Sequence, residues 1–190
     1  MEPLPKHQTF WKRYLASFLD GIVFLPLAFL SSYYEGSENA GAFILFTMLH
    51  VILLTAYQVI GHGRYGQTLG KYLTGIKVLD VAEEGVIGDK KAFLRKCIWF
   101  FAQMAGIVYL MVDTTRSAEP VEVHETYYKS IAGVITLSWL MVEVLTMLFN
   151  KKRRAMHDLI AGSVVVNLLE LRRENLYKKQ QALMASLQTR

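Results

Sequence analysis

Four stretches of this chain, 14–34, 41–60, 97–112 and 131–149, are apolar over nearly the length a helix needs to cross a lipid bilayer. A helix rises ~1.5 Å per residue, so ~20 residues span the ~30 Å hydrocarbon core. Three stretches reach that length directly. The third reaches it if its helix starts near Phe93, with Arg95 and Lys96 snorkelling to the interface. Helices of a soluble core rarely run this long without a polar face. Composition agrees: 53% of residues are hydrophobic and 19% charged, where a soluble domain is ~25% charged. Mean hydropathy is +0.25. A disordered chain is excluded and a soluble enzyme disfavoured. The first stretch is of full span length, carries Asp20 and lacks a small-residue cleavage site, so it reads as a retained span and not a signal peptide. The single Cys97 excludes an intramolecular disulfide and a cysteine metal cluster.

The cations set an orientation. All 21 Lys and Arg residues except Arg116 and Lys129 lie in 1–13, 61–96 and 150–190. Positive charge stays in the cytoplasm, so both termini and the long middle segment are expected there. The connections expected outside are acidic, with Glu35, Glu38, Asp113, Glu119, Glu122 and Glu125. The net charge of +5 therefore follows membrane topology and does not point to nucleic acid. The expectation is an all-α integral membrane protein with four transmembrane helices, both termini inside. Residues 1–167 form the membrane domain. Residues 168–190 form a cytoplasmic amphipathic helix with Leu169, Leu176 and Leu183 at heptad spacing and Leu187 added. That helix would lie on the membrane or on a neighbour, and would help form a homo-oligomer.

The cytoplasmic segments carry more pattern than linkers need. Leu69, Tyr72, Leu73 and Ile76 follow a glycine-rich run at helical spacing, which suits a short interfacial helix. Residues 76–81 read as extended, and Glu83-Glu84-Gly85 as a turn. The glycines lack the spacing and following Ser/Thr of a phosphate loop. Residues 72–80 can be laid on 159–167, matching Gly75 with Gly162, Val78 with Val165 and Asp80 with Asn167. With Arg13 seven before Asp20 and Lys96 seven before Gln103, the two halves read as a parallel repeat of two spans each, related about an axis along the membrane normal. Chance similarity among small apolar residues is the alternative.

Polar residues inside the spans are the candidate site. Asp20, Gln103 and Glu143 each lie six residues from the cytoplasmic end of a span, or ~9 Å deep, and His50 lies ~15 Å deep. An ionised carboxylate at depth costs ~2.5–3.5 kcal/mol, so these groups should face each other, a cation or water. Asp20 and Glu143 are read as a cation or proton site, against a structural ion-pair network. His50 is read as an interhelical hydrogen bond or a proton relay. Pro26 either opens space beside Asp20 or aids packing. No nucleophile, metal-ligand spacing or cofactor motif stands out, so no enzyme activity, metal or cofactor is expected.

The chain resembles the RDD family of bacterial membrane proteins, named for one Arg and two Asp. The residues that carry the resemblance are Arg13 with Asp20, Gly66-Gln67-Thr68-Leu69-Gly70-Lys71, Arg95 before the third span, and Arg153 or Arg154 with His157-Asp158. It covers about 7–167; His50 and Glu143 are not in the pattern. The pattern implies a fixed partner for Asp158, expected to be Arg13 or Arg95 at the inner face. The resemblance implies an integral protein of the bacterial inner membrane with a transport role, often cation-related, and no settled substrate. The expected function is proton-coupled exchange of small inorganic or organic cations at intramembrane carboxylates, with the lipid bilayer, a small cation and the proton as partners. The alternative is a membrane assembly module without transport, in which the Arg and Asp residues are structural.

Overall fold

The computed structural model describes residues 5–34, 39–82, 85–116 and 121–188. Glu35, Glu38, Glu119 and the Glu83-Glu84 turn lie outside them, and the side chains of 113–132 are likewise not described. After a 3-10 turn at Pro5–His7, two long helices follow, α1 (Phe10–Tyr34) and α2 (Ala40–Ile60). The chain continues through a π turn, Gly61–Tyr65, to the short helix α3 (Leu69–Leu73) and strand β1 (Ile76–Asp80). The second half repeats that order: α4 (Gly88–Leu94), α5 (Cys97–Arg116), α6 (Val121–Phe149), α7 (Met156–Ile160) and β2 (Ser163–Asn167). Helix α8 (Leu168–Gln188) closes the chain.

Two helices, Phe10–Tyr34 and Gly41–Tyr65, are long and apolar enough to cross a membrane. A third results if Gly88–Leu94 and Cys97–Val112 count as one span, but they meet at a bend of 54°. The third span therefore does not run back to Phe93 as a straight helix. The chain turns at Arg95 and Lys96, and α5 instead gains its length at the other end, reaching Arg116. The apolar part of α6 is the shorter Gly133–Phe149. Many large apolar side chains on these helices are exposed, including Phe18, Phe29, Phe101, Leu137 and Phe149, as a lipid-facing surface requires. This is a mostly helical membrane protein.

The two halves meet in a two-stranded antiparallel sheet. Its register pairs Ile76 with Asn167, Val78 with Val165 and Asp80 with Ser163. Each strand follows a five-residue helix and a glycine in the left-handed region, Gly75 at φ 67° and Gly162 at φ 62°. Only glycine adopts that conformation without strain. The ladder also closes alike at both ends, with Val81 N–H on the Gly162 carbonyl and Leu168 N–H on the Gly75 carbonyl. Helix, glycine and strand thus recur at one constant offset, the one that lays 72–80 on 159–167. The ladder is symmetric about Val78 and Val165.

The strands explain why 163–167 is so apolar. One face, Ile76, Val78 and Val165, packs with Ala16, Ile87 and Ala92 beneath the helices. The other, Leu79, Val164 and Val166, is covered by Leu171 of α8. A strand buried on both faces carries no alternating pattern. Lys6 ties the N-terminal turn to α8 through Glu174 at 2.8 Å.

Candidate functional site

At the end of the helices nearest the sheet, the Asp158 carboxylate gathers groups from three parts of the chain. One oxygen accepts from Arg13 Nη1 at 2.6 Å and from the Ala155 N–H at 3.1 Å. The other accepts from Arg95 Nη2 at 2.5 Å and from Ser163 Oγ at 3.2 Å. Arg13 is fixed further by Nε to Thr9 Oγ1 and Nη2 to the Arg153 carbonyl, both at 3.1 Å. Asp158 itself is wholly buried. Burial alone would raise its carboxyl, but Arg95 and Arg13 hold it well below the ordinary carboxylate range. The expected partner for Asp158 was one of the two arginines; it engages both. The knot joins the start of α1, the α4–α5 bend and the α7–β2 hairpin.

Asp20 has a different place. It is buried in α1 and accepts from Thr68 Oγ1 at 2.6 Å, Tyr57 Oη at 2.8 Å and the Gly70 N–H at 2.8 Å. The carboxylate caps the start of α3 and so docks that helix on α1. The approach needs Gly70: a Cβ there would stand 2.1 Å from the Ala16 carbonyl oxygen. Asp20 does not pair with Arg13, and it lines neither cavity described below. Its oxygens are taken by neutral donors, which departs from the expectation of a cation or proton site there. The direction in which the side chain points was not readable from a depth argument.

The other three intramembrane candidates come together. His50, Gln103 and Glu143 line one cavity of about 570 Å³ between α1, α2, α5 and α6. Trp99, Trp139 and Phe43 give it apolar walls, while Arg95, Lys96 and His157 reach its inner end. Glu143 accepts from Trp139 Nε1 at 2.7 Å and meets His157 Nδ1 at 2.5 Å. Below lies a second cavity of about 110 Å³, lined by Arg13, His62, Lys71 and Val165 among others. Arg95, Lys96, Glu143 and His157 line both, so the Glu143–His157 pair stands at their junction. Burial pushes His157 below its ordinary value, against the raising effects of Asp158 and Glu143. Lys71 Nζ lies 2.9 Å from His62 Nε2, and its ammonium is pushed down to about 7 by burial and then by Arg95 and Lys96.

A carboxylate in contact with an imidazole can hold a proton on either partner, and small changes in surroundings move it. Sequence reasoning missed His157, Lys71 and His62 as members of the site. His157 lies far from the other two in the sequence, and no spacing rule brings the three to one cavity. Thr68 stands at the N-cap position of α3, but its hydroxyl donates to Asp20 and makes no cap hydrogen bond, so the partners of Asp20 were not legible in the sequence.

A bundle of apolar helices whose halves each end in a helix–glycine–strand hairpin, joined by buried Arg and Asp side chains, defines a helical protein of membrane character with a polar floor at one end. The RDD family model matches residues 8–162, and the chain belongs to the RDD family. No curated protein and no solved structure matches it.

Proposed function

We propose that this chain is a proton-coupled transporter of a small solute in the bacterial cytoplasmic membrane. It has four spans and both termini in the cytoplasm. The observation that carries the reading is the Glu143–His157 pair at the junction of the two cavities, below His50 and Gln103. A group that exchanges a proton where a solute sits is the minimal device for coupling the two. Four spans are supported by α6, whose apolar part follows a polar start, and by the distribution of Lys and Arg. Sodium-type or organic cation exchange, expected from two carboxylates, now rests on Glu143 alone. Arg95 and Lys96 beside it raise the cost of a bare cation.

A second reading, an assembly module without transport, is favoured by the use of Arg13, Asp20, Arg95 and Asp158 inside the fold. Purified protein in liposomes separates the two. A pH gradient should drive, or be dissipated by, one class from a panel of cations, carboxylates and phosphate. No solute-dependent proton movement from any class would favour the module. Topology is tested with cysteines at Glu38 and Ser117, which should label from outside, and at Glu84 and Ser186, which should not. Outside labelling at Glu84 would overturn the four-span arrangement.

A further inference from the structure

The inner floor of the large cavity has the wrong charge for a cation and unused donors for something else. Among the described residues lining the two cavities, Glu143 is the single carboxylate, against Arg13, Lys71, Arg95 and Lys96. Asp158, behind the floor, is already shared by two guanidinium groups. Arg95 is 5% exposed, and its Nε and Nη1 have no hydrogen-bond partner among the described residues. Buried charged donors are costly unless something answers them; with Nη2 taken by Asp158, Nε and Nη1 each remain able to give one charge-assisted hydrogen bond. Lys96 stands next to it on the same lining, and Trp99, Trp139 and Phe43 provide an apolar wall above.

We propose that Arg95 and Lys96 bind an anionic group, a carboxylate or a phosphate, that enters the cavity together with a proton taken up by the Glu143–His157 pair. This rests on the reading of the cavity as the transport site and makes the coupling symport of an anion rather than exchange of a cation. The proton is required by charge. An anion on Arg95 and Lys96 sits beside Glu143, and two negative groups at one floor repel unless one is neutralised. Groups facing the pair set its response: Arg13 and Tyr14 from α1, His62 and Lys71 from the π turn and α3, Arg95 and Lys96, and Asp158 beside His157. Burial holds His157 low, against the raising effects of Asp158 and Glu143, and an anion arriving beside the pair adds negative charge that favours uptake of a proton. Burial first, and then Arg95 and Lys96, push the Lys71 ammonium down to about 7.

The test uses the full chain in phosphatidylcholine nanodiscs. Of the three tryptophans, Trp11 is exposed, and a Trp11→Phe variant leaves Trp99 and Trp139 as reporters on the cavity wall. Benzoate and inorganic phosphate are the anionic probes, and benzylamine the cationic control. Saturable fluorescence change with benzoate or phosphate is expected; benzoate, which stays ionised throughout, should bind about tenfold or more tightly at about pH 6 than at about pH 8, and Glu143→Gln should flatten that dependence beyond what the lysines at about 8 and about 7 leave. Lys96→Gln should weaken it about tenfold or more, since a charge-assisted bond is lost. Arg95 also holds Asp158, so Lys96 and not Arg95 carries the mutational arm. If phosphatidylglycerol nanodiscs abolish probe binding, the anionic group is a lipid headgroup; if they do not, it is a free solute. Benzylamine binding as well as benzoate, binding that weakens toward acid, or no anion binding to folded protein would each overturn the proposal. Proton-linked cation flux without anion binding would sink this site and keep the transport reading; anion binding without flux would do the reverse.

Discussion

Asp158→Asn should be among the most damaging substitutions in this chain. The change keeps the shape of the side chain and removes its charge. It leaves Arg13 Nη1 and Arg95 Nη2, now 2.6 Å and 2.5 Å from the carboxylate, facing each other across a neutral amide. The side chains of Arg13, Arg95 and Asp158 are 10%, 2% and 0% exposed, so solvent screens little of the loss. Removing one member of such a buried pair costs ~3–5 kcal/mol, and here two cations are stranded rather than one. The amide also has to answer donors from Ala155 and Ser163 that the carboxylate accepted. For a chain of this size that is a fall of about 6–20 °C in melting temperature. The assay is thermal unfolding of purified protein in detergent, read by tryptophan fluorescence and by the onset of aggregation. Asp80→Asn is the internal control: its partner Lys91 is 2.7 Å away but on the surface, and the change should barely move the melting point. Asp158→Asn melting within about 2 °C of the unaltered protein would refute the argument that the knot holds the two hairpins to the helix starts.

Three further outcomes follow from the geometry. Gly70→Ala should destabilise, by about 1–3 kcal/mol as overpacking does, because the new methyl meets the Ala16 backbone at 2.1 Å; a rise in melting temperature from the better helix former would contradict the docking of α3 on α1. Asp20→Asn should cost about 1–3 kcal/mol, since an amide can keep the Gly70 and Tyr57 bonds while Thr68 turns to accept. Acid should lower the melting temperature steadily. His157 lies below its ordinary 6.5, Asp158 well below 3.8 and Glu174 at about 2, so at each the unfolded chain takes up a proton first. The stability each contributes is whole above its unfolded value and is lost as pH falls through the folded one. A melting temperature that climbs between about pH 6 and about pH 4 would contradict these assignments.

Much of the fold was written in hydrophobic period and length. The long helices, the short helix at 69–73 and the extended run at 76–80 all announce themselves locally, as does the glycine that separates the last two. Even the pairing of β1 with β2 was implicit in the match between 72–80 and 159–167, because a repeated hairpin can close on its own copy. The bend at Arg95 and Lys96 was not legible: a basic pair before an apolar run reads equally as a snorkelling extension of the span. Long-range pairing of side chains was legible only at Asp158, where the resemblance implied a fixed partner and named Arg13 and Arg95 as candidates. For Asp20 the donors come from a loop that returns beneath α1, and nothing in a depth argument says which way a side chain turns.

The most direct test of the account compares Glu143→Gln with Asp20→Asn in liposomes, each normalised to folded protein, with proton movement followed by a trapped pH-sensitive dye in the presence of the transported solute. If the proton-bearing group is at the cavity junction, Glu143→Gln abolishes solute-dependent proton flux while Asp20→Asn retains it. Flux retained in Glu143→Gln and lost in Asp20→Asn would contradict the account and return the site to the first span.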